Sequence, residues 1–500
     1  MTAEAAKAED GAVGRPERLH PLLLLTGLGG SLRGMAGGYA FIGYLAVSGQ
    51  ARTALFAGLA LLIVLAASLF LYWRRFEFRV GASEIRIDSG IFSRTHRSIP
   101  FDRIQDVDIT QGPVARLVGI AKVKFETGGS GGADADEGVL AAIPLQRAEE
   151  LRTLVRTHRT GASAAVAPTA ETDHIPVFAM DSRRVLLAGL FNFSLALFAG
   201  LVGATQTFGD ALGFDPLSRS FWLSMLSVGD PIADYILAHR LVAALGGAAV
   251  LVLIGLATGI VRTVLREFGF RLDRTDVGLR RRRGLLTRTD VTLPAKRAQA
   301  AIVGTGPLRD SFGWRELKLQ SLASDEGGGG DHVLAPLARE DEVGEILSAL
   351  GWRPLSDAID WLRVSRAYVW SLAVGLSPLL LLALLASLDI AVGAAALLGV
   401  GALGAVALVL RWRGWRRTLY ALDGDRLLMR SGWWRRRTVI LPLDRIQSID
   451  LTESFVTRFF GTAGLAFGVA GGSGFSAHEI PALPRETARE LRRRLLVSVA

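Results

Sequence analysis

Two short segments carry the best-placed polar chemistry in this chain, Asp102-Arg103-Ile104-Gln105 and Asp444-Arg445-Ile446-Gln447. In each, an arginine and a glutamine two residues apart could form a shared binding site: Arg103 with Gln105, and Arg445 with Gln447. The competing reading is local: aspartate pairs with arginine, and glutamine ties a loop to a strand edge. An exposed pair of this kind contributes only about 0–1 kcal/mol, so its role would be register rather than energy. Two arginine runs suggest a different chemistry. Arg280, Arg281, Arg282 and Arg283 form the first, and Trp433-Trp434 leads into Arg435, Arg436 and Arg437 in the second. Aromatic rings beside arginines suit the membrane–water interface, where rings sit at headgroup depth and each cation near an anionic surface is worth about 1 kcal/mol. The alternative is an ordinary solvated hairpin face.

Other chemistries find no support. The chain has no cysteine, which excludes disulfides, thiolate nucleophiles and cysteine metal sites. Its seven histidines are scattered, none paired at metal-ligand spacing on a helix. The glycine-rich stretches 128–132, 327–330 and 471–474 are not followed by Lys-Ser or Lys-Thr opening a helix, so they read as loops, not phosphate cradles. No Gly-x-Ser-x-Gly elbow is present. The expectation is a protein that is not an enzyme and uses no cofactor or metal.

The elements that must hold these residues follow from an internal repeat. Gly90, Pro100 and Gly119 have the same spacing as Gly284, Pro294 and Gly313, and as Gly432, Pro442 and Gly461. Within it Pro-x-x-Arg-x-Gln recurs, and a period this long means one unit used three times. Alternating stretches such as Glu84-Ile-Arg-Ile-Asp-Ser-Gly90 predict half-buried strands, with glycine at the hairpin and proline at a strand end. Each copy closes with a helix, near Gln146–Arg156, Arg339–Leu350 and Arg485–Leu496. About seven strands and one helix predict a small barrel or sandwich plugged by its own helix. Copy two departs at Lys296, Ala298 and Asp310, where copies one and three have aspartate, isoleucine and arginine.

Half of the 500 residues are hydrophobic, and the net charge is +10. Paired apolar runs precede each copy: Pro21–Val47 with Thr53–Trp73, Val185–Thr207 with Arg240–Ile260, and Tyr368–Ser387 with Ile390–Leu410. A bilayer core takes about 20 residues of helix, so these predict three transmembrane hairpins. Arg33 interrupts the first run, leaving Gly34–Val47 as its continuous apolar part. Arginines cluster at the copy-facing ends (Arg74, Arg75, Arg183, Arg184, Arg262, Arg266, Arg411, Arg413, Arg416, Arg417), while the link 208–239 carries Asp210, Asp215, Asp230 and Asp234. By the positive-inside rule both termini and all three copies are cytoplasmic. The first twenty residues lack a secretory signal pattern, so the N-terminus is expected to stay in place. The expected domains are a tail (1–20), a hairpin (21–75) and β-unit (76–158), a linker (159–183), a hairpin with a long external link (184–264) and β-unit (265–351), a linker (352–366), and a hairpin (367–413) and β-unit (414–498).

The strand-then-helix order, the Pro-[FL]-Asp-Arg-Ile-Gln segment, the Arg-x-x-Gly turn and His20-Pro21 at the first apolar run resemble the bacterial pleckstrin-homology-like family of YdbS/YdbT-type membrane proteins. The resemblance covers nearly the whole chain. It implies an α+β protein of the bacterial inner membrane, multi-pass, with PH-like domains in the cytoplasm. It implies little about activity, because this fold serves many binding roles. The expected function is a non-enzymatic anchored scaffold that presents three PH-like domains to anionic headgroups of membrane lipids or to a membrane or cytoplasmic partner protein. No nucleic acid is expected as a partner. The alternative is a transporter or transporter accessory subunit in envelope stress or toxin resistance, with Arg33, Asn192 and Gln206 as its polar groups.

Overall fold

The computed structural model describes residues 16–23, 42, 45, 50–89, 95–127, 138–160, 176–194, 239–321, 331–356, 358–386, 393–470 and 478–499. Most of the first apolar run with Arg33, the end of the third run with Gln206 together with nearly all of the link 208–239, and the three glycine-rich stretches lie outside these residues. The chain falls into two compact units: Met1–His174, Ala179–Arg271 and Arg281–Thr292 form one, and Ile175–Phe178, Leu272–Arg280 and Leu293–Ala500 the other.

The first unit begins with β1 (Glu17–Arg18) and the long helix α1 (Ala51–Arg75). Strands β2 (Glu77–Val80), β3 (Glu84–Ser89) and β4 (Thr95–Pro100) follow, then β5 (Ile104–Gln111), the short helix α2 (Pro113–Leu117), β6 (Ile120–Thr127), β7 (Val139–Pro144) and helix α3 (Leu145–Thr160). Copy one is built from two sets of paired strands, β1-β2-β3-β4 and β5-β6-β7. Their alternate residues make one core, including Phe78, Ile85, Ile99, Phe101, Ile104, Val107, Val123 and Leu140, closed by Ala148, Leu151 and Val155 of α3. Burying each large apolar side chain contributes about 1.5–3 kcal/mol. The helix therefore does plug the β-unit, as its apolar stripe predicts.

Next come β8 (Phe178–Ala179), α4 (Ser182–Phe191) and α5 (Arg240–Glu267). The predicted second hairpin has a defect. Its first helix ends at Phe191, and Asn192 leaves helical geometry with its Nδ2 donating to Thr263 Oγ1 at 3.1 Å. The two helices meet closely at small residues: a Cβ on Gly259 would lie 2.3 Å from the Asn192 carbonyl oxygen, and one on Gly189 2.7 Å from Ile260 Cα. Glycine at helix crossings of this kind is typical of membrane packing.

Copy two contains β9 (Arg271–Thr275), β10 (Gly278–Arg283), β11 (Arg288–Pro294), β12 (Ala298–Thr305), α6 (Pro307–Ser311), β13 (Arg315–Ser321), β14 (Asp331–Ala338) and α7 (Glu340–Ala349). Copy three has β15 (Leu362–Arg363), the helical pair α8 (Ala367–Ala386) and α9 (Gly393–Arg417), β16 (Leu419–Asp423), β17 (Arg426–Ser431), β18 (Arg436–Pro442), β19 (Ile446–Thr452), α10 (Phe455–Phe459), β20 (Thr462–Val469), β21 (His478–Pro484) and α11 (Arg485–Val499).

The strand pairing adds joints between copies that the repeat by itself does not predict. In the first unit β5 of copy one is extended by β11 of copy two, with Arg288 opposite Gln111, Thr289 opposite Thr110 and Asp290 opposite Ile109. In the second unit β12 of copy two is extended by β18 of copy three, running from Ala301 opposite Ile440 to Thr305 opposite Arg436. There β14-β13-β12-β18-β17-β16-β15 form one seven-stranded sheet. Neighbouring copies are thus welded by shared sheets. Alternation of apolar residues fixes which face of a strand is buried but not which strand lies beside it.

The repeated glycines and prolines have local causes. Gly284 and Gly432 have φ of +111° and +104°, and a Cβ would lie 1.8 and 1.9 Å from the carbonyl oxygens of Thr287 and Arg435. Pro100, Pro294 and Pro442 hold φ of −61°, −63° and −61° as their strands end in a 3₁₀ turn. Proline presets that angle and asks for no ladder donor there.

Candidate membrane interface

Among the described residues, Arg52–Arg75 and Leu245–Glu267 are long and apolar enough to cross a membrane, and Ala367–Leu382 is a shorter apolar helix. α8 and α9 pack against one another as a pair. The full complement of three hairpins is not reached within these residues.

In copies one and three, chain that precedes the apolar segment pairs with the β-unit that follows it. β1 pairs with β2, placing Glu17 opposite Phe78. β15 pairs with β16, placing Leu362 opposite Tyr420. A tryptophan near the end of α1 and another near the end of α9 clasp these entries: Trp73 Nε1 donates to the Leu19 carbonyl at 2.8 Å, and Trp415 Nε1 to the Val364 carbonyl at 2.9 Å. Arg363 and Arg366 lie over the Trp415 ring, and Arg411 stacks on Tyr368 at 3.4 Å from the ring centre. Rings with a polar edge beside cations are the expected furniture of a bilayer boundary.

The hairpin loops that hold the arginine runs attach to the ends of these helices. In the first unit Gly284 N–H donates to the carbonyl of Phe268, just beyond α5, at 2.9 Å, and Leu285 N–H to that of Leu265 in its last turn at 3.0 Å. In the second, Arg417 of α9 donates to the Trp433 carbonyl at 2.7 Å. The loop tips stay open, with Leu286, Trp433 and Trp434 exposed and the two indole rings 5.7 Å apart.

A second set of exposed apolar groups was not singled out from the sequence. The short helices α2, α6 and α10 carry Val114 and Leu117, Leu308, and Phe455 and Phe459, with Phe312 just beyond α6. Leu117 is 89% exposed and Phe455 79%, which is unusual for such side chains at a repeated position. α10 packs alongside the apolar helix α8. The sequence signal was present, since apolar residues flank the recurrent arginine or aspartate three before each turn glycine.

That position also links consecutive copies. Arg116 Nη1 donates to the Leu285 carbonyl at 2.6 Å in the first unit. In the second, Asp310 forms ion pairs with Arg436 and, at 2.7 Å, with Arg315. Copy two's departure from arginine to aspartate therefore matches a cation supplied by copy three.

The predicted site residues do not converge on one pocket. Arg103 is exposed in the turn after Pro100, and Gln105 lies in β5. Arg445 ties inward, with Nη1 donating to the Lys296 carbonyl at 3.0 Å and Nε 3.2 Å from Asp444, while Gln447 is exposed. The copy-two counterparts are buried: Gln299 Nε2 donates to the Arg297 carbonyl at 3.2 Å. These contacts follow the local reading of the motif. The run Arg280–Arg283 is not a uniform surface either. Alternation along β10 buries Arg281 and Arg283, and Arg283 bonds both carboxylate oxygens of the buried Glu267 at 3.0 and 3.2 Å. Arg280 and Arg282 are half-buried. Of the other run, Arg435 and Arg437 are exposed, Arg437 lies 3.3 Å from Ser431 Oγ, and Arg436 is engaged by Asp310.

Two further features bear on chemistry. A cavity of about 750 Å³ in the second unit has Val177, Ala349, Pro354 and Leu355 in its lining, and its charged groups are Glu340, Asp341 and Glu345 against Arg274, an acidic balance unsuited to headgroup phosphate. His478 is buried, its Nε2 2.8 Å from Gln320 Oε1, and burial, helped by Arg437, pushes its pKa down to about 4. Among the described residues no three His, Asp or Glu side chains gather as metal ligands.

A model of the bacterial PH domain matches residues 28–159, 233–352 and 369–498. The chain belongs to the bacterial PH domain family. Each match takes in apolar helix as well as β-unit, so in this bacterial PH-domain protein the repeat is the two together. UPF0699 transmembrane protein YdbT of Bacillus subtilis (strain 168) is 27% identical over 303 residues, covering 57% of this chain and 55% of that protein. UPF0699 transmembrane protein YdbS of the same organism is 35% identical over 80 residues, 16% of this chain and 45% of that protein. The chain thus spans about half the length of the curated relatives it matches. No solved structure matches it. The bacterial PH-domain chain is a membrane protein with internal repeats.

Proposed function

We propose that this chain is a non-enzymatic scaffold of the bacterial inner membrane, multi-pass, with both termini and its three PH-like units on the cytoplasmic side. Each hairpin with its following β-unit (21–158, 184–351 and 367–498) is one anchored module. The units present aromatic and basic loops to anionic headgroups and leave their outer surfaces to a membrane or cytoplasmic partner protein. One observation carries the reading: in both units the hairpin loop bearing exposed apolar tips is fastened to the end of an apolar helix, at Gly284 and Leu285 and again at Trp433. A tip held there meets the bilayer surface without further ordering, and nearby Arg435 and Arg437 add electrostatic attraction. Pairing of β1 with β2 and of β15 with β16 supports an even number of crossings between them.

The test uses the full-length protein in nanodiscs of phosphatidylcholine with or without phosphatidylglycerol. Hydrogen exchange at residues 432–437 should slow with phosphatidylglycerol, and the protection should fade as salt is raised. Trp433→Ala with Trp434→Ala should abolish it. Equal exchange in both lipid mixtures would sink the lipid-facing reading. Periplasmic labelling of a cysteine placed at Arg435 would sink the orientation.

A further inference from the structure

The two welds between copies obey one register. Arg288, four residues past Gly284, opposes Gln111, eight before Gly119. Arg436, four past Gly432, opposes Thr305, eight before Gly313. The third strand of one copy and the fourth strand of the copy before it are therefore complementary by construction. Among the described residues a chain of three copies uses this joint twice and leaves one of each strand at a sheet edge. β4 of copy one is the last strand of its sheet, and β19 of copy three is the first of its own. An open edge strand offers a row of backbone donors and acceptors to another chain.

We propose that β19 of one chain pairs with β4 of a second copy, antiparallel and head to tail, repeating the joint used inside the chain. The shared register places Thr95 opposite Thr452 and Arg97 opposite Asp450. In the internal weld the corresponding pair is Val439 opposite Ile302, both apolar. At the two leftover edges that pair is a cation and an anion. Asp450 is exposed. Opposite charges directly across an antiparallel pair attract, and like charges repel, so this pairing favours β4 with β19 over either strand with itself. The capping helices agree. Arg152 of α3 reaches the Val107 carbonyl of its own β5 at 3.0 Å, and also the Asp290 carbonyl of the next copy's β11 at 3.0 Å. Arg492 of α11 makes the equivalent first bond, to the Ile449 carbonyl at 3.1 Å. The second half of that contact has no counterpart among the described residues, and Arg492 is exposed where Arg152 is half-buried. Because this contact is heterologous, it closes a ring or continues as a row in the membrane plane.

The native chain has no cysteine, so substituted cysteines report cleanly. Opposed residues of an antiparallel pair lie about 4.5–5.5 Å apart at Cα, within disulfide range. Two full-length chains with different tags, one Arg97→Cys and one Asp450→Cys, are co-expressed, and isolated membranes are treated with a mild oxidant. The expected product is a disulfide joining the two tags, with each variant alone giving no dimer. Asp450→Arg in a third experiment should cut association of otherwise native chains at least tenfold, and Arg97→Asp in the same chain should restore it. Three results overturn the proposal: dimers of Arg97→Cys with itself, a bond formed only within a doubly substituted chain diluted into single nanodiscs, or no bond at all. The last would mean that the two charges blunt the edges against pairing.

Discussion

Copies two and three use the same Pro-x-x-Arg-x-Gln segment at opposite ends of the exposure scale. Around Pro294 both Arg297 and Gln299 are buried, whereas beyond Pro442 Arg445 is half-buried and Gln447 is exposed. The turn is the same, with proline φ near −62° in both. What differs is occupancy of the flanking strands: β12 is covered on one side by β13 and on the other by β18, while among the described residues β19 pairs with β20 alone. A motif fixed by backbone geometry can thus be interior in one repeat and surface in another. Copy two is the keystone, and its polar residues belong to packing; copy three carries the open side chains.

The largest way to break this contrast is at Arg283. Arg283→Met leaves the buried Glu267 carboxylate to the half-exposed Arg266, whose Nε lies 3.2 Å from Oε1, and should cost about 3 kcal/mol in chemical unfolding, with Glu267→Leu in the same chain recovering most of it. Arg437→Met, at an exposed position of the other run, should stay within about 0.5 kcal/mol. If both cost the same, the contrast between keystone and open copy fails.

Acidification probes copy three directly. His478 has its folded pKa pushed below the usual 6.5, to about 4. The unfolded chain therefore binds the proton first, and stability present above pH 6.5 is lost as pH falls toward 4. The loss should approach about 3 kcal/mol, from about 1.4 kcal/mol per pKa unit. His478→Gln should flatten this slope in unfolding curves taken between pH 7 and 4.

Smaller effects sharpen the comparison. Gln299→Ala removes a buried hydrogen bond and should cost about 1 kcal/mol, against almost nothing for Gln447→Ala, by thermal or denaturant unfolding. Asp310→Arg restores the residue type of copies one and three but sets it against Arg436 and Arg315. It should cost up to about 1 kcal/mol, and Arg436→Glu added to it should recover the loss if the pair is a matched one between copies.

Much of the architecture was legible before any coordinates. Strand alternation and the helix stripe at Leu151 and Val155 gave the β-unit and its plug, and both were found in the core. The helix ends and their arginines placed the apolar runs, although the second begins with a helix broken at Asn192, whose side chain found Thr263 instead of continuing the turn. The candidate site was legible only in part. Trp433 and Trp434 are exposed as their composition suggested, but the run Arg280–Arg283 was misleading because a strand turns every second side chain inward. The exposed apolar residues of α2, α6 and α10 were visible in the letters and passed over, since apolar residues beside a turn usually read as core.

Composition and spacing alone settled three things: the threefold repeat, the glycines at positive φ, and the prolines ending strands. Each depends on the preferences of single residues and their nearest neighbours in the chain. The tertiary structure alone decided that β5 receives β11 and β12 receives β18, that Arg283 meets Glu267, and that the loop tips fasten to the ends of the apolar helices. Those pairings join residues far apart in sequence, and any strand with the right alternation satisfies the same pattern. Only the competition among backbone edges for partners selects one.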